Sequence, residues 1–231
     1  MKNKDIKKEN KGLIPQGDIN LAKDSIEIGT AAIGALVGLV IGGPVGAVVG
    51  AVASPTVSLA QNIVTKAKER RRMRLETIVS SSINSSRMSI EDALLELSNN
   101  ESKTDDLLTL LTLAVSSDES LDCVFSGLIA ELLQCNSTPQ KDRILIIGDA
   151  VKNFRSIHLR IISALYLSGG ILTASEIANT VNIPEIELRS VVRDLELRGI
   201  ILDLEKTPVE WKLRELGQAI AVLIQNPKEE L

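Results

Sequence analysis

The chain has 231 residues, a net charge of −4 and 44% apolar side chains, yet its only aromatic residues besides one histidine are Trp211, Tyr166, Phe125 and Phe154. That length accommodates about two domains with cores of their own, and a core drawn from Leu, Ile, Val and Ala suits helices packed on helices. Cys123 and Cys135 have no second cysteine pair and no histidines beside them, which excludes a disulfide framework or zinc site and leaves buried free thiols as the expectation.

The charge is unevenly placed. Residues 1–75 hold twelve Lys/Arg against six Asp/Glu, a net of +6, so the remainder of the chain carries −10. A basic end around an apolar run, with an acidic body behind it, is the layout of a protein that meets anionic lipid with its N-terminal part. A basic arm for nucleic acid has the same charge but no use for the apolar run.

Residues 1–28 are Lys-rich, include Gly12, Pro15 and Gly17, and show no sustained periodicity, which predicts a flexible basic tail. From Gly29 to Thr65 there is no charged residue, and a small residue recurs every fourth position: Thr30, Gly34, Gly38, Gly42, Gly46, Gly50 and Ser54. On a helix this spacing lays the small residues along one slowly drifting stripe. Such a stripe admits another backbone closely, as between helices in lipid, whereas in water each glycine costs roughly 1 kcal/mol of helix propensity against Ala. The stretch resembles a glycine zipper, a pattern of membrane-inserted and self-associating bacterial proteins. Gly42-Gly43-Pro44 interrupts it, predicting a helical hairpin with Pro44 opening the second arm and Pro55 restarting a long helix. Each arm is shorter than the roughly 20 residues needed to cross a bilayer. One kinked helix over the whole run would be long enough to span, and a helical pair buried under the rest of the chain is the competing reading, but a hairpin inserted from the cytoplasmic side explains the basic residues on both flanks more simply. Acids in the leading segment and glycines in the apolar one argue against a secretory signal, despite Ala51-Val52-Ala53. Lys66, Lys68, Arg70, Arg71, Arg72 and Arg74 form the basic cluster expected to face lipid.

A helix is predicted from Leu59 to about Ile83. Ser89, Thr104, Asp118 and Thr138-Pro139 then read as helix starts, with helices predicted over Asp105–Val115, Glu119–Leu133 and Thr138–Phe154. Leucines and isoleucines recur at helical spacing through this region, which reads as a helical bundle without a nucleophile, acid–base pair or phosphate loop.

The C-terminal signals are more specific. Ser156–Leu167 is an amphipathic helix ending at Gly169-Gly170, and Thr173-Ala174-Ser175-Glu176 is a capping box. Asn182-Ile183-Pro184 opens a third helix closed by Gly199; Ile200–Leu202 and Val209–Leu213 are strand-like, and Glu215–Gln225 is a last helix. In order, and in the segments Glu176-Ile177-Ala178, Leu195-Glu196-Leu197-Arg198-Gly199 and Trp211-Lys212-Leu213-Arg214-Glu215-Leu216-Gly217, this part resembles the winged helix-turn-helix family. The resemblance implies a two-stranded wing and a third helix that presents Arg189, Ser190 and Arg193 to DNA, with Lys206 at the wing tip. However, residues 156–225 hold seven Lys/Arg against nine Asp/Glu, a net of −2. Since DNA affinity is mainly phosphate neutralisation, the charge disfavours DNA and favours a protein partner. His158 reads as a packing or surface residue and Trp211 as a core anchor on the wing strand.

The sequence thus predicts an all-α chain with a small two-stranded wing: basic tail 1–28, glycine-zipper hairpin 29–60, helical bundle 61–155, winged domain 156–225 and tail 226–231. The expected function is that of a non-enzymatic bacterial protein at the cytoplasmic face of the inner membrane. It would contact lipid and copies of itself, with no cofactor or metal, under control of the body and the winged module. In architecture it resembles membrane-acting effectors of abortive-infection phage defence. The alternative is a DNA-binding transcriptional regulator with a hydrophobic N-terminal oligomerisation element. The glycine stripe predicts that Gly38→Leu or Gly46→Leu abolishes self-association, measured by sedimentation in detergent, while circular dichroism of the rest is unchanged. Unaltered association would contradict it.

Overall fold

A computed structural model describes residues 55–205 and 208–225. The basic tail 1–28, the stripe Gly34, Gly38, Gly42, Gly46 and Gly50, all of the hairpin before Pro55, Lys206 and the tail 226–231 lie outside the described residues. The described chain is mostly helical, with one small antiparallel sheet.

The first helix, α1 (Pro55–Ser86), is followed by α2 (Ile90–Asn99), α3 (Glu101–Ser116), a 3-10 turn (Glu119–Leu121), α4 (Asp122–Gln134) and α5 (Thr138–Val151). α4 is central: Val124, Phe125, Leu128, Ile129, Leu132 and Leu133 are all buried, and α1, α3 and α5 pack around it. Burying one such side chain contributes about 1.5–3 kcal/mol, so this helix carries much of the driving force. From α1 come Leu75, Ile78, Val79 and Ile83, at intervals of three and four residues, with Ser82 and Ser86 on the same face. Each serine satisfies its buried hydroxyl by donating to its own helix, Ser82 to the Ile78 carbonyl at 2.6 Å and Ser86 to that of Ile83 at 2.7 Å. Lys103, 1% exposed, threads its stem through the core and brings Nζ within 2.6 Å of Glu96 and 3.2 Å of the Leu133 carbonyl at the end of α4.

The C-terminal part runs α6 (Ser156–Leu167), β1 (Ile171–Thr173), α7 (Ala174–Val181), α8 (Glu185–Leu197), β2 (Ile201–Asp203), β3 (Glu210–Leu213) and α9 (Glu215–Gln225). Three helices end alike: the amides of Gly170, Ile183 and Ile200 reach back to Leu165, Ala178 and Leu195. The residues before them (Gly169, Asn182 and Gly199) take positive φ. Thr173 and Glu176 close the capping box that opens α7. The expected pair of strands is corrected to three, in the order β1-β3-β2. Leu172 and Asp203 both lie opposite Trp211, which is buried at 7% exposure on the middle strand. Three residues squeezed between a helix end and a capping box are too few to show strand alternation. α9 then packs on α6, β3 and α4, and a Cβ on Gly217 would strike the Ile200 carbonyl, so that contact requires glycine.

Other expectations are also adjusted. α3 begins at Glu101 rather than Asp105, because Asn100 caps it by accepting the Lys103 amide. The helix expected over Glu119–Leu133 opens as a 3-10 turn capped by Asp118 and becomes α-helical at Asp122. α5 stops at Val151, three residues short of Phe154. Cys123 is exposed rather than buried; Cys135 is buried, and both thiols are free.

Residues 152–155 join α5 to α6, and a cluster around His158 fastens that junction. The His158 ring stacks on Phe154 at 5.0 Å and 11°. Its Nδ1 accepts the Arg155 amide at 3.0 Å, so the ring proton resides on Nε2, 3.3 Å from Asp194. Arg198 donates to Asp194 at 2.9 Å and to the Ala150 carbonyl at 3.3 Å, with its guanidinium 5.5 Å from the Phe154 ring centre. Burial holds the His158 pKa below its ordinary value; Asp194 opposes this, and Arg198 and Arg155 reinforce it. The neutral ring is the native one, so its stabilisation is complete above the unfolded pKa of about 6.5 and is lost as pH falls through the lower native value. Thermal melts between pH 7 and 5 are therefore expected to fall more steeply for the wild type than for His158→Gln, which keeps a capping acceptor but cannot titrate. Equal slopes would contradict the assignment.

Candidate functional site

α1 obeys two regimes along its length. From Leu75 onward one face is buried, but every residue from Lys66 to Met73 is exposed. Lys68, Arg71 and Arg72 fall on the same helical face as Leu75, Ile78 and Val79. Nothing among the described residues covers them, because the helix has outrun the bundle.

The six basic residues read from the sequence therefore separate. Arg74 is spent on the fold: its side chain is only 13% exposed. Its Nε and Nη2 donate to one carboxylate oxygen of Asp122 at 2.8 and 2.6 Å, Nη1 to the Ser117 carbonyl at 2.9 Å and Nη2 to that of Asp118 at 3.0 Å. This corrects its expected place at a lipid surface. Burial raises the Asp122 carboxyl above the usual range, against the opposing pull of Arg74, whereas the hydroxyl and amide of Ser120 lower that of Asp118. Arg72 pairs with Glu76 at 2.8 Å on the exposed surface, where such pairs contribute little. Lys66, Arg70 and Arg71 line a concavity of about 410 Å³ with Ala67, Arg74, Val115 and Glu119, where α1 leaves the body. Lys68 and Arg72 are not part of it.

The second predicted surface lies on α8. Arg189, Ser190 and Arg193 are exposed, as the resemblance implied, but each has a local partner. Arg189 meets Glu185 at 3.6 Å, Arg193 meets Glu196 at 3.4 Å, and Ser190 donates to the Glu187 carbonyl at 2.9 Å. Glu196 also accepts the Trp211 indole N–H at 2.9 Å, which ties it to the sheet. The groove between α8 and the sheet, about 540 Å³, brings Glu185, Glu196 and Asp203 beside the two arginines. A phosphate entering there would displace carboxylates already seated. Charge counting missed two aliphatic residues at either end of this exposed ridge, Ile186 at 81% and Leu197 at 73% exposure. They share the face of Ser190 and Arg193 by helical spacing, and apolar anchors on a helix ridge suit a protein groove better than a base edge.

A third hollow, about 420 Å³ between α1, α4 and α9, contains Cys123 and Glu131. Although both residues are exposed overall, partial desolvation by the walls of the hollow pushes both the thiol and the carboxyl up, which disfavours the thiolate that a nucleophile requires. Among the described residues no group of three His, Cys, Asp or Glu is placed to hold a metal, and no helix is long and apolar enough to cross a membrane.

No protein-family model, curated protein or solved structure matches this chain.

Arg74→Ala is expected to cost about 1–3 kcal/mol in urea unfolding, because it strands Asp122 and two carbonyls, while Arg70→Ala stays within about 0.5 kcal/mol as an exposed change. Equal effects would contradict the division of the cluster.

Proposed function

We propose that this is a non-enzymatic, membrane-associated bacterial protein whose glycine-zipper segment inserts or self-associates in the inner membrane from its cytoplasmic face. The helical body and a winged-helix interaction module control it, in the manner of a phage-defence or stress effector. One observation carries this reading: the uncharged run that ends at Thr65 feeds directly into a stretch of α1, Lys66–Met73, that is basic and exposed on every face. Apolar residues abutting Lys and Arg at a helix–body junction suit the boundary between hydrocarbon and anionic headgroups. The hairpin reading of the run is part of this proposal, as are lipid and further copies of the chain as partners.

The C-terminal order of helix, strand, two helices, two strands and helix supports the winged-helix reading. The locally paired Arg189 and Arg193 and the exposed Ile186 and Leu197 favour a protein partner over DNA. The DNA-regulator alternative therefore receives no specific support from α8.

Fractionation of bacteria expressing the full chain tests the proposal. The protein is expected in the membrane pellet after a high-salt wash, and a chain lacking residues 1–54 in the supernatant. Full-length protein released at low salt would refute it.

A further inference from the structure

The concavity at the root of the exposed helix has a composition that a diffuse basic surface lacks. Lys66, Arg70 and Arg71 line it on α1, with Arg74 behind them; the facing wall is Val115 at the end of α3 and Glu119 in the 3-10 turn. Residues 66, 70 and 74 follow one another at intervals of four, so they stack along a single helix face. Arg74 is immobilised by Asp122 and two carbonyls and is largely neutralised, which fixes the wall without adding free charge. Lys66, Arg70 and Arg71 enter no salt bridge among the described residues. At about 410 Å³ the hollow is within the range of small-ligand sites.

We propose that Lys66, Arg70 and Arg71 form a discrete site for a phosphate ester carrying a hydroxyl group, the chemistry of a glycerol-phosphate headgroup. Two guanidinium groups supply the planar forks that bind phosphate oxygens pairwise, which an ammonium cannot do. Among the lining side chains Glu119 alone is an acceptor, and its carboxylate meets a ligand hydroxyl rather than a phosphate. The site lies within a few residues of the end of the uncharged run, level with the headgroups if that run enters lipid. The inference thus rests on the membrane reading and adds to it that recognition is a bounded site, not a general attraction.

The test uses the full chain and charge-conserving variants, so that net attraction is constant. Binding is measured by co-flotation with phosphatidylcholine vesicles with and without phosphatidylglycerol. Arg70→Lys with Arg71→Lys is expected to weaken the gain from phosphatidylglycerol about tenfold, as loss of forked contacts. Lys68→Arg with Arg72→Lys, both outside the concavity, should leave it unchanged. All four positions are exposed, and circular dichroism checks that folding is intact. Titration with glycerol 3-phosphate without vesicles separates the sources: saturable binding lost in the Arg→Lys pair assigns a soluble phosphate ester, and a difference confined to vesicles assigns the lipid headgroup. Wild-type affinity of the Arg→Lys pair in both assays overturns the site while leaving the membrane reading intact. A wild-type chain that floats with no vesicle of either composition overturns both.

Discussion

The packing of α1 against α4 is the constraint on which the remainder depends. α4 is buried on nearly all sides, and its strongest neighbour is the half of α1 that begins at Leu75. Arg74 stands at the boundary between that half and the exposed one. By gripping Asp122, the first residue of α4, together with the carbonyls of Ser117 and Asp118, it sets where α1 parts from the bundle and in what direction. A half-buried ion pair with several further hydrogen bonds has little net effect on stability but is costly to break from one side. It therefore acts mainly as a specifier of geometry.

The same helix α4 joins the C-terminal part to the body. α9 returns from the sheet to lie on it, with Leu223 against Gly127, while Arg198 reaches from the end of α8 to the Ala150 carbonyl of α5. The buried side chains form one continuous cluster from Leu75 to Leu223. A disturbance of α8 or the sheet is thereby connected, through α9 and α4, to the root of the exposed helix. The proposed control thus has a packed route along which to act.

Much of this fold was legible because it is written in local chemistry. Ser89, Thr173 and Glu176 announce helix starts, and Gly169 and Gly199 announce ends, each through a backbone bond with neighbours only a few residues away, whereas Asn182, expected at the opening of the third helix, instead ends α7 with positive φ. What escaped depends on distant or competing partners. Asn100 and Thr104 both qualify as caps, and only the placement of Lys103 against Glu96 and Leu133 decides for Asn100. A lysine with a fully buried stem looks like a surface residue until its acceptors are known. In the candidate site the six-residue basic cluster was visible as charge, but its division was not. Asp122, which removes Arg74 from it, lies 48 residues away in the chain, and the facing wall of Val115 and Glu119 comes from other elements. The ridge residues Ile186 and Leu197 were overlooked because counting charges is blind to exposed aliphatics.

In the proposed function α1 bridges a water-exposed body and an apolar run in lipid. Nitroxide labels at Val40→Cys and Glu69→Cys, in a chain whose Cys123 and Cys135 are replaced by Ala, read this directly through collisions with oxygen and with a water-soluble nickel chelate. On anionic vesicles, position 40 should become oxygen-accessible and nickel-shielded, and position 69 should be intermediate at the headgroup boundary. A label at position 40 that is shielded from both reagents, with or without vesicles, would contradict the central claim.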